Sequence, residues 1–288
     1  MSIHGTIDEI ALSLGAKFMP KYFRDGFNSP PVAEHLQAIS LEIPELNGEG
    51  DYEITASSLV GQLNAAFRLA HWEGDDVPTL IYHHGASEIP FDYGFKRIFP
   101  LKKIPARANL FLVRAPFHRS MKDFQHGIRT LANVVAMLAV SVKVIEGIVE
   151  TNREKKVPRI LVAGTSLGGF ITNLHHIHCG SADAYTPLLA GLAMNDAYLR
   201  SAYSRAVDLK AKENPADIDT VLNFRGEFSE KDSGNVFPLL ARHDRIVRYP
   251  VQKDSYGNRP VVTLEKGHAT GALAYGALRS HVFDVLQR

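Results

Sequence analysis

One short segment constrains the fold of this chain more than any other. The strand-like run Arg159–Ala163 leads directly into Gly-Thr-Ser-Leu-Gly at 164–168, and the residues that follow are compatible with a helix. A serine between two glycines at a strand-to-helix junction is typical of a sharp, strained turn, where a side chain at either glycine would collide with a neighbouring strand or helix. We therefore interpret Ser166 as a catalytic nucleophile at the edge of a sheet.

Short apolar runs predict that this strand belongs to a mostly parallel sheet. Thr79–His83 and Leu110–Arg114 are apolar almost throughout, as strands buried on both faces are. A stretch that begins at Leu131 has apolar residues at helical spacing and predicts a long helix. Later runs continue the strand series: Gly191–Met194, Val236–Ala241 and Val261–Leu264. This alternation indicates an α/β fold with a mostly parallel central sheet and helices on both faces.

The N-terminal part of the chain has a different pattern. Tyr52–Ala56 and Leu63–Leu69 alternate apolar and polar residues on either side of a glycine, which predicts an antiparallel hairpin before the parallel strands. Leu36–Ile43 could form another strand. Residues 1–35 are interpreted as an N-terminal arm that packs on the main domain, in which Ile7–Leu14 could form a short helix.

One stretch interrupts the alternation of strands and helices. Residues 197–233 are rich in Tyr, Arg, Lys, Glu and Asp, with Leu and Val between them, and we expect a mostly helical excursion that forms a small helical cap or lid. Gly271–Gln287 predicts a closing helix. With 288 residues, we expect a single α/β domain over 1–288, with the cap and the arm as its additions.

Composition excludes several classes of protein. The formal net charge of +1 predicts neither a nucleic-acid binder nor a membrane-surface protein. Cys179 is the single cysteine, which excludes an internal disulfide and a cysteine cage for a metal. The N-terminus lacks the pattern of a secretory signal, and the apolar stretch 131–142 is shorter than the roughly 20 residues that span a bilayer. We expect a cytoplasmic protein without membrane insertion, and oligomeric state is left open.

A nucleophilic serine needs a base and a carboxylate that orients it, and such groups should follow the carboxyl ends of parallel strands. Asp244 follows the run 236–241, and His268 follows the run 261–264 in a Gly-His sequence. Asp196, after the run 191–194, is an alternative acid. We favour Asp244, because it can approach an imidazole on the adjacent last strand. None of the other twelve histidines follows the final strand in this way.

With the order serine, aspartate and histidine, and with its Gly-x-Ser-x-Gly turn, the sequence resembles the α/β-hydrolase family from roughly residue 50 to the end. The resemblance implies an α/β-hydrolase fold and a serine hydrolase of the esterase or lipase type. It also implies a Ser166–His268–Asp244 triad, a small-molecule acyl substrate, and no need for a cofactor or a metal.

The resemblance further implies the position of an oxyanion hole. In the family, the first parallel strand often ends in His-Gly, and the backbone N–H that follows is one donor, which is that of Ala86 in this chain. The N–H after the nucleophile, here that of Leu167, is the other. This chain has His-Gly-Ala where some lipases and esterases have His-Gly-Gly-Gly, which leaves Gly85 and Ser87 as alternatives to Ala86.

Three further questions stay open at this point. Ser87 and Glu88 follow the oxyanion strand closely and could bind substrate or belong to a solvated loop. His175, His178 and Cys179 could share one helix face, but we expect them to pack within the fold rather than bind zinc. The favoured function is cleavage of an ester or related acyl compound through an acyl-enzyme. Acyltransferase, thioesterase or peptidase activity would use the same triad, and a non-catalytic acyl-binding module is the remaining alternative.

Overall fold

One eight-stranded sheet forms the centre of the computed structural model, which describes residues 3–15, 20–86, 88–101 and 107–288. The strands are β1 (Gly50–Ser58), β2 (Gly61–His71), β3 (Thr79–His83), β4 (Asn109–Arg114), β5 (Ile160–Thr165), β6 (Ala184–Leu188), β7 (Leu239–Ala241) and β8 (Val262–Leu264). Their order is β1-β2-β4-β3-β5-β6-β7-β8. β1, β2 and β4 pair antiparallel, and the remaining neighbours are parallel, which confirms the predicted hairpin and the mostly parallel sheet.

The helices alternate with the parallel strands. They are α1 (Ile3–Gly15), α2 (Val32–Ala38), α3 (Tyr93–Ile98), α4 (Met121–Gly127), α5 (Leu131–Glu154), α6 (Leu167–His178), α7 (Met194–Arg200), α8 (Leu209–Glu213), α9 (Ala216–Val221), α10 (Arg225–Ser229), α11 (Tyr249–Ser255), α12 (His268–Ala272) and α13 (Tyr275–Leu286). A short 3-10 helix covers Ala202–Ala206. The predicted closing helix is therefore two helices, α12 and α13.

Alternate residues of the central strands pack into two hydrophobic cores, one on each face of the sheet. Ile81 and Phe111 lie in the core that α5 and α6 cover. Leu80 and Leu110, their neighbours in sequence, lie in the core that α3 and α13 cover. Because side chains of a strand point alternately to opposite faces, strands buried on both faces must be apolar throughout. The prediction of helices on both faces is confirmed.

Helix α5 is the longest buried element. Thr130 is its N-cap, and the Thr130 hydroxyl accepts a hydrogen bond from Asn133 N–H at 3.1 Å. Its 24 residues are long enough and apolar enough to cross a membrane by length and composition alone. However, 72% of its most apolar window is buried against the rest of the protein, as is typical of the core helix of a globular domain. The apolar stretch read from the sequence is thus the first half of a longer helix.

Two predicted strands are wrong. The strand before α7 is β6, at 184–188, rather than Gly191–Met194, which connects β6 to α7. The sequence pattern does not predict β6, because its residues Ala-Tyr-Thr-Pro-Leu include polar side chains and a proline, whereas the segment that connects β6 to α7 is more apolar. Leu36–Ile43 is not a strand either. Its first residues belong to α2, which begins directly after Pro31, and Ser40 makes only an isolated bridge to Ser57.

The chain between β6 and β7 is mostly helical, as the sequence predicts. Helices α7 to α10 lie between these two strands in the chain. α7 comes after the carboxyl end of β6, whereas Phe228 of α10 packs against the ring of His176 near the C-terminal end of α6. At the other end of the chain, α1 packs against α12 and the 3-10 helix, so the first residues contact the C-terminal half. The division of the chain into a domain, a cap and an arm stays a prediction.

Candidate active site

The strand-to-helix turn holds Ser166 in a strained conformation. Ser166 has φ 56° and ψ −111°, a backbone region that non-glycine residues rarely adopt, and its N–H donates to Leu188 O at 2.8 Å. The flanking glycines are sterically required. A Cβ on Gly164 would overlap the backbone of Gly168, and a Cβ on Gly168 would overlap the carbonyl oxygen of His83. The predicted reason for both glycines is therefore present in the structure.

Three side chains that are distant in sequence form one hydrogen-bonded chain. His268 Nε2 lies 2.9 Å from Ser166 Oγ, and His268 Nδ1 lies 2.6 Å from Asp244 Oδ2. Asp244 lies in the loop after β7, and His268 is the first residue of α12, after β8. Because β7 and β8 are adjacent and parallel, their carboxyl ends bring the two loops to the same edge of the sheet.

The environment of this chain of hydrogen bonds favours a basic imidazole. Asp244 Oδ1 accepts from Ile246 N–H at 2.8 Å and Val247 N–H at 2.7 Å, so the carboxylate is fixed on both oxygens. With Nδ1–H donating to Asp244, the lone pair of His268 Nε2 faces the hydroxyl of Ser166. Burial lowers the pKa of His268, but the nearby carboxylates, chiefly that of Asp244, together outweigh burial and hold that pKa above its ordinary value.

The alternative acid, Asp196, is engaged elsewhere. It lies in α7 and forms a bidentate ion pair with Arg248, whose Nε donates to Asp196 Oδ2 at 2.9 Å. The side chain of Asp196 is 6% exposed and that of Arg248 is 39% exposed, so a buried carboxylate is paired with a partly exposed guanidinium. Asp244, and not Asp196, is hydrogen-bonded to His268.

Both predicted oxyanion-hole residues lie beside the serine. Leu167 is the first residue of α6, so its N–H has no acceptor within the helix. Ala86 lies in the turn after β3, and parallel pairing of β3 with β5 brings that turn to the edge where Ser166 lies. Ala86, Leu167, Ser166 and His268 line one cavity of about 230 Å³. A substrate carbonyl in this cavity would face the serine and both residues together.

No protein-family model and no curated protein sequence matches this chain. Solved structures do resemble it. Acetyl xylan esterase 1 from Thermoanaerobacterium sp. JW/SL YS485 is 16% identical with a TM-score of 0.56, over 92% of this chain and 96% of that one. An esterase from Pyrococcus furiosus is 11% identical with a TM-score of 0.53, over 91% and 98%. The chain has the α/β-hydrolase fold.

The same fold is found in part of a larger enzyme. The acylaminoacyl peptidase from Pyrococcus horikoshii is 13% identical with a TM-score of 0.55 over 83% of this chain, and the match covers 40% of that longer chain. The predicted α/β-hydrolase fold is therefore confirmed by structures whose sequences differ at more than four of every five positions.

In this α/β-hydrolase fold, buried side chains fix the turn that carries Ala86. His84 Nδ1 lies 2.7 Å from Gly85 O, and its Nε2 accepts from Ala115 N–H at 3.1 Å, so the proton lies on Nδ1. Burial lowers the pKa of His84 well below its ordinary value, which keeps the ring neutral. Both ring nitrogens of His84 are therefore hydrogen-bonded to backbone around the turn.

Glu88 contributes to the same turn from its other side. Its Oε1 accepts from Gly85 N–H at 3.0 Å, and its Oε2 accepts from Gly94 N–H at 2.9 Å. Burial raises the pKa of this carboxyl. Its contacts in the structure are with backbone, and binding of substrate by Glu88 stays a prediction. Ser87, the other predicted substrate-binding residue, lies outside the described residues.

The cavity beside the serine is mostly apolar. Its remaining walls are the side chains of Phe170, Met194, Ala197, Tyr198, Tyr203, Ile246 and Val247. Met194, Ala197 and Tyr198 come from α7, and Tyr203 comes from the 3-10 helix that follows it, so these two helices form one side of the cavity. Tyr203 Oη donates to Tyr22 Oη at 2.7 Å, which anchors this wall to the N-terminal part of the chain.

One residue near the site was missed by reasoning from the sequence. Asp8, in α1, is fully buried, and its carboxylate accepts a hydrogen bond from the backbone N–H of His268 at 2.8 Å. The two residues are 260 positions apart, and Asp8 lies in a segment without a recognisable motif. No local signal could have found it, because the contact exists only after the sheet has formed.

Among the described residues, one group could offer ligands to a metal. Glu146, His175 and Cys179 each place a possible ligand atom within 4.8 Å of the others. Glu146 Oε2 already accepts from His175 Nε2 at 2.9 Å and from Ser181 Oγ at 2.5 Å. Burial raises the pKa of the Cys179 thiol to about 12, which disfavours the thiolate that binds metals. Glu146 and His175 are thus bonded to each other, and packing of this cluster without zinc stays a prediction.

Proposed function

We propose that this protein is a serine hydrolase that cleaves an ester or related acyl compound through an acyl-enzyme intermediate. The observation that carries the proposal is the unbroken chain of hydrogen bonds from Ser166 Oγ through His268 to the buried carboxylate of Asp244, at 2.9 Å and 2.6 Å. A serine hydroxyl is a weak nucleophile, and this arrangement supplies the base and the orienting acid that activate it.

In the proposed mechanism, Ser166 Oγ attacks the carbonyl carbon while His268 Nε2 accepts its proton. The oxyanion that develops receives hydrogen bonds from the N–H groups of Leu167 and Ala86, and the N-terminal end of α6 adds a favourable dipole. Collapse of the tetrahedral species expels the leaving group, which takes the proton from His268. A water molecule that gives a proton to His268 then attacks the acyl carbon. The bond to Ser166 Oγ breaks, His268 returns the proton to that oxygen, and the acid is released.

The substrate we infer carries a short acyl group. The cavity of about 230 Å³ is smaller than the roughly 300–1,000 Å³ of pockets for drug-sized ligands. Its walls are mostly apolar, as an acyl chain requires, and Met194 and Tyr203 contribute to them from the chain between β6 and β7. Two of the structurally similar proteins are named acetyl xylan esterases, from Thermoanaerobacterium and Paenibacillus, and an acetyl group is the smallest common acyl group.

Amide hydrolysis is the second candidate. Its support is the likeness to the acylaminoacyl peptidase of Pyrococcus horikoshii, which shares the fold over 83% of this chain. In amide cleavage the leaving group is an amine, so the reaction depends more on protonation of that group by His268. Comparing rates on a p-nitrophenyl ester and the matching p-nitroanilide separates the two candidates, and we expect the ester to be strongly preferred.

Hydrolysis of a series of p-nitrophenyl esters tests the proposal. The series runs from acetate through butyrate and hexanoate to laurate, with Ser166→Ala as the blank for each ester. We expect kcat/KM to be highest for acetate or butyrate and to fall steeply for laurate. Turnover that is equal in the Ser166→Ala protein would contradict the serine mechanism, and a preference for laurate would contradict the short acyl group.

A further inference from the structure

The carboxylate of Asp8 is hydrogen-bonded to two loops of the site at once. Its Oδ2 accepts from the N–H of His268 at 2.8 Å and from the N–H of Arg245 at 3.2 Å. Its Oδ1 accepts from Ala269 N–H at 2.9 Å. Arg245 directly follows Asp244 in the chain. One buried carboxylate thus joins the loop that carries the acid to the loop that carries the base.

The contact also explains the glycine before the histidine. A Cβ on Gly267 would lie 2.7 Å from His4 O and 2.8 Å from Asp8 Oδ2. The φ of Gly267 is −88°, which any residue adopts, so its backbone conformation does not require glycine. The requirement is space for α1. Gly267, which precedes the base His268, therefore leaves room for α1, a helix from the other end of the chain.

The three N–H groups need this acceptor. His268 and Ala269 are the first residues of α12, so their N–H groups have no acceptor within that helix. A buried carboxylate that accepts three N–H groups makes charge-assisted hydrogen bonds, which are stronger than neutral ones. Asp8 is fully buried, so water does not compete for these bonds. The backbone of His268 is thereby fixed independently of its imidazole, which Asp244 orients.

From these contacts we infer that Asp8 is a positioning residue for the acid–base pair, holding the Asp244 and His268 loops in register from the N-terminal helix. The inference rests on the function proposed above. Asp8 does not touch the serine or the cavity beside it; it acts through the backbone of the base. Misplacement of a catalytic group by about 1 Å costs on the order of 100-fold in rate, which sets the scale of the expected effect.

The charge of Asp8 provides a readout that a merely structural contact would not move. Burial lowers the pKa of His268, and the carboxylates of Asp244 and then Asp8 raise it by a larger amount. Replacing Asp8 by a neutral residue should therefore lower the pKa of His268. The other charged or titratable side chains on the two packed loops and on α1 are His4, Glu9, Arg242, His243, Arg245, Arg248, Glu265 and Lys266.

The test compares Asp8→Asn with Glu9→Gln in the full-length protein. Glu9 is the matched control, because it lies on the same helix and contacts the same loop, with its carboxylate 3.6 Å from Arg245 Nη2. Rates are normalised to active sites counted by a fluorophosphonate that labels Ser166, so loss of folded protein lowers the count and not the rate. We expect kcat to fall about 10- to 100-fold in Asp8→Asn with little change in KM.

Two further results are expected. The acid limb of the kcat/KM profile should shift to lower pH in Asp8→Asn and stay in place in Glu9→Gln. Gly267→Ala, which pushes on α1 while leaving Asp8 itself intact, should also lower kcat. Asp8→Asn with wild-type kcat per labelled site and an unmoved acid limb would overturn the inference. Absence of labelling in the wild-type protein would instead overturn the proposed function, so the two failures are distinguishable.

Discussion

The two halves of the site are built in opposite ways. The nucleophile is held by its own surroundings in sequence: Gly164 and Gly168 lie within two residues of Ser166, and the turn connects one strand to one helix. The base is held from far away. His268 depends on Asp244, 24 residues earlier, and its backbone is bonded to Asp8, 260 residues earlier.

This difference determines how mutations in each half affect folding and catalytic rate. A change within the turn acts directly on the strained backbone of Ser166, and through it on the core beneath. A change on the acid–base side can leave the core intact and still move the imidazole relative to Ser166 Oγ, from which it lies at 2.9 Å. We therefore expect substitution of the turn glycines, Gly164 and Gly168, to affect folding as well as rate, and mutations of the acid–base side to affect mainly rate.

The largest expected effect is that of Ser166→Ala. Removal of the nucleophile should lower kcat by on the order of a million-fold, with the fold retained, because alanine only removes the hydroxyl. The measurement is hydrolysis of p-nitrophenyl acetate. Ser229→Ala, in α10, removes a hydroxyl that donates to Gly226 O in the same helix, and it should retain full activity. Comparable losses of kcat in both variants would contradict the assignment of Ser166 as the nucleophile.

The next effect separates the two candidate acids. Asp244→Asn should lower kcat by about 10,000-fold, because an amide no longer selects the tautomer of His268 that leaves Nε2 unprotonated. Asp196→Asn, which weakens only the ion pair with Arg248, should change kcat by less than about threefold, since partly exposed ion pairs contribute little. The measurement is kcat on the same ester for both variants. A larger loss in Asp196→Asn would reverse the assignment.

A smaller effect concerns the stability of the turn. In Gly168→Ala the added methyl group must displace the His83 carbonyl, and we expect the free energy of unfolding to fall by about 1–3 kcal/mol. Gly226→Ala is the control, because Gly226 is helical and, among the residues that the structure describes, a Cβ there meets no atom within 4 Å beyond its chain neighbours and its own helix backbone. That change should raise stability by roughly 0.5–1 kcal/mol. Urea unfolding measures both, and equal stability of the two variants would refute the steric argument.

The smallest effect is in the pH dependence of the wild-type protein. Catalysis needs neutral His268, whose pKa is raised above 6.5 by Asp244 and Asp8 against the effect of burial. The value of kcat/KM should therefore fall as the pH decreases through a midpoint above 6.5 and level off at higher pH. A midpoint clearly below 6.5 would mean that burial outweighs the two carboxylates.

Much of this molecule could be predicted from its sequence. The apolar runs predicted β3, β4 and β5 to within a residue or two, since strands buried on both faces have few polar positions. The same apolar runs also predicted that the turn at 164–168 and the loops after β7 and β8 lie at one edge of the sheet, because chain order and parallel pairing determine which loops share an edge. The elements that have a local sequence pattern were therefore predicted well.

The rest depends on contacts that no local pattern carries. β6 was misplaced because Thr186 and Pro187 mask a buried strand, while the apolar connection after it looked more strand-like. Asp8 was missed because its importance lies in three backbone N–H groups at the far end of the chain. The sequence favours Asp244 and leaves Asp196 as an alternative, because both follow predicted strands. The contacts that distinguish them, Asp244 with His268 and Asp196 with Arg248, join residues that are distant in the chain.

The most direct test of the central claim is labelling by a fluorophosphonate followed by peptide mass spectrometry. The account predicts one label per chain, on Ser166, in the wild-type protein. It also predicts much slower labelling in His268→Ala, because the hydroxyl then lacks its base. Folded wild-type protein that stays unlabelled, or that is labelled on another serine, would contradict it.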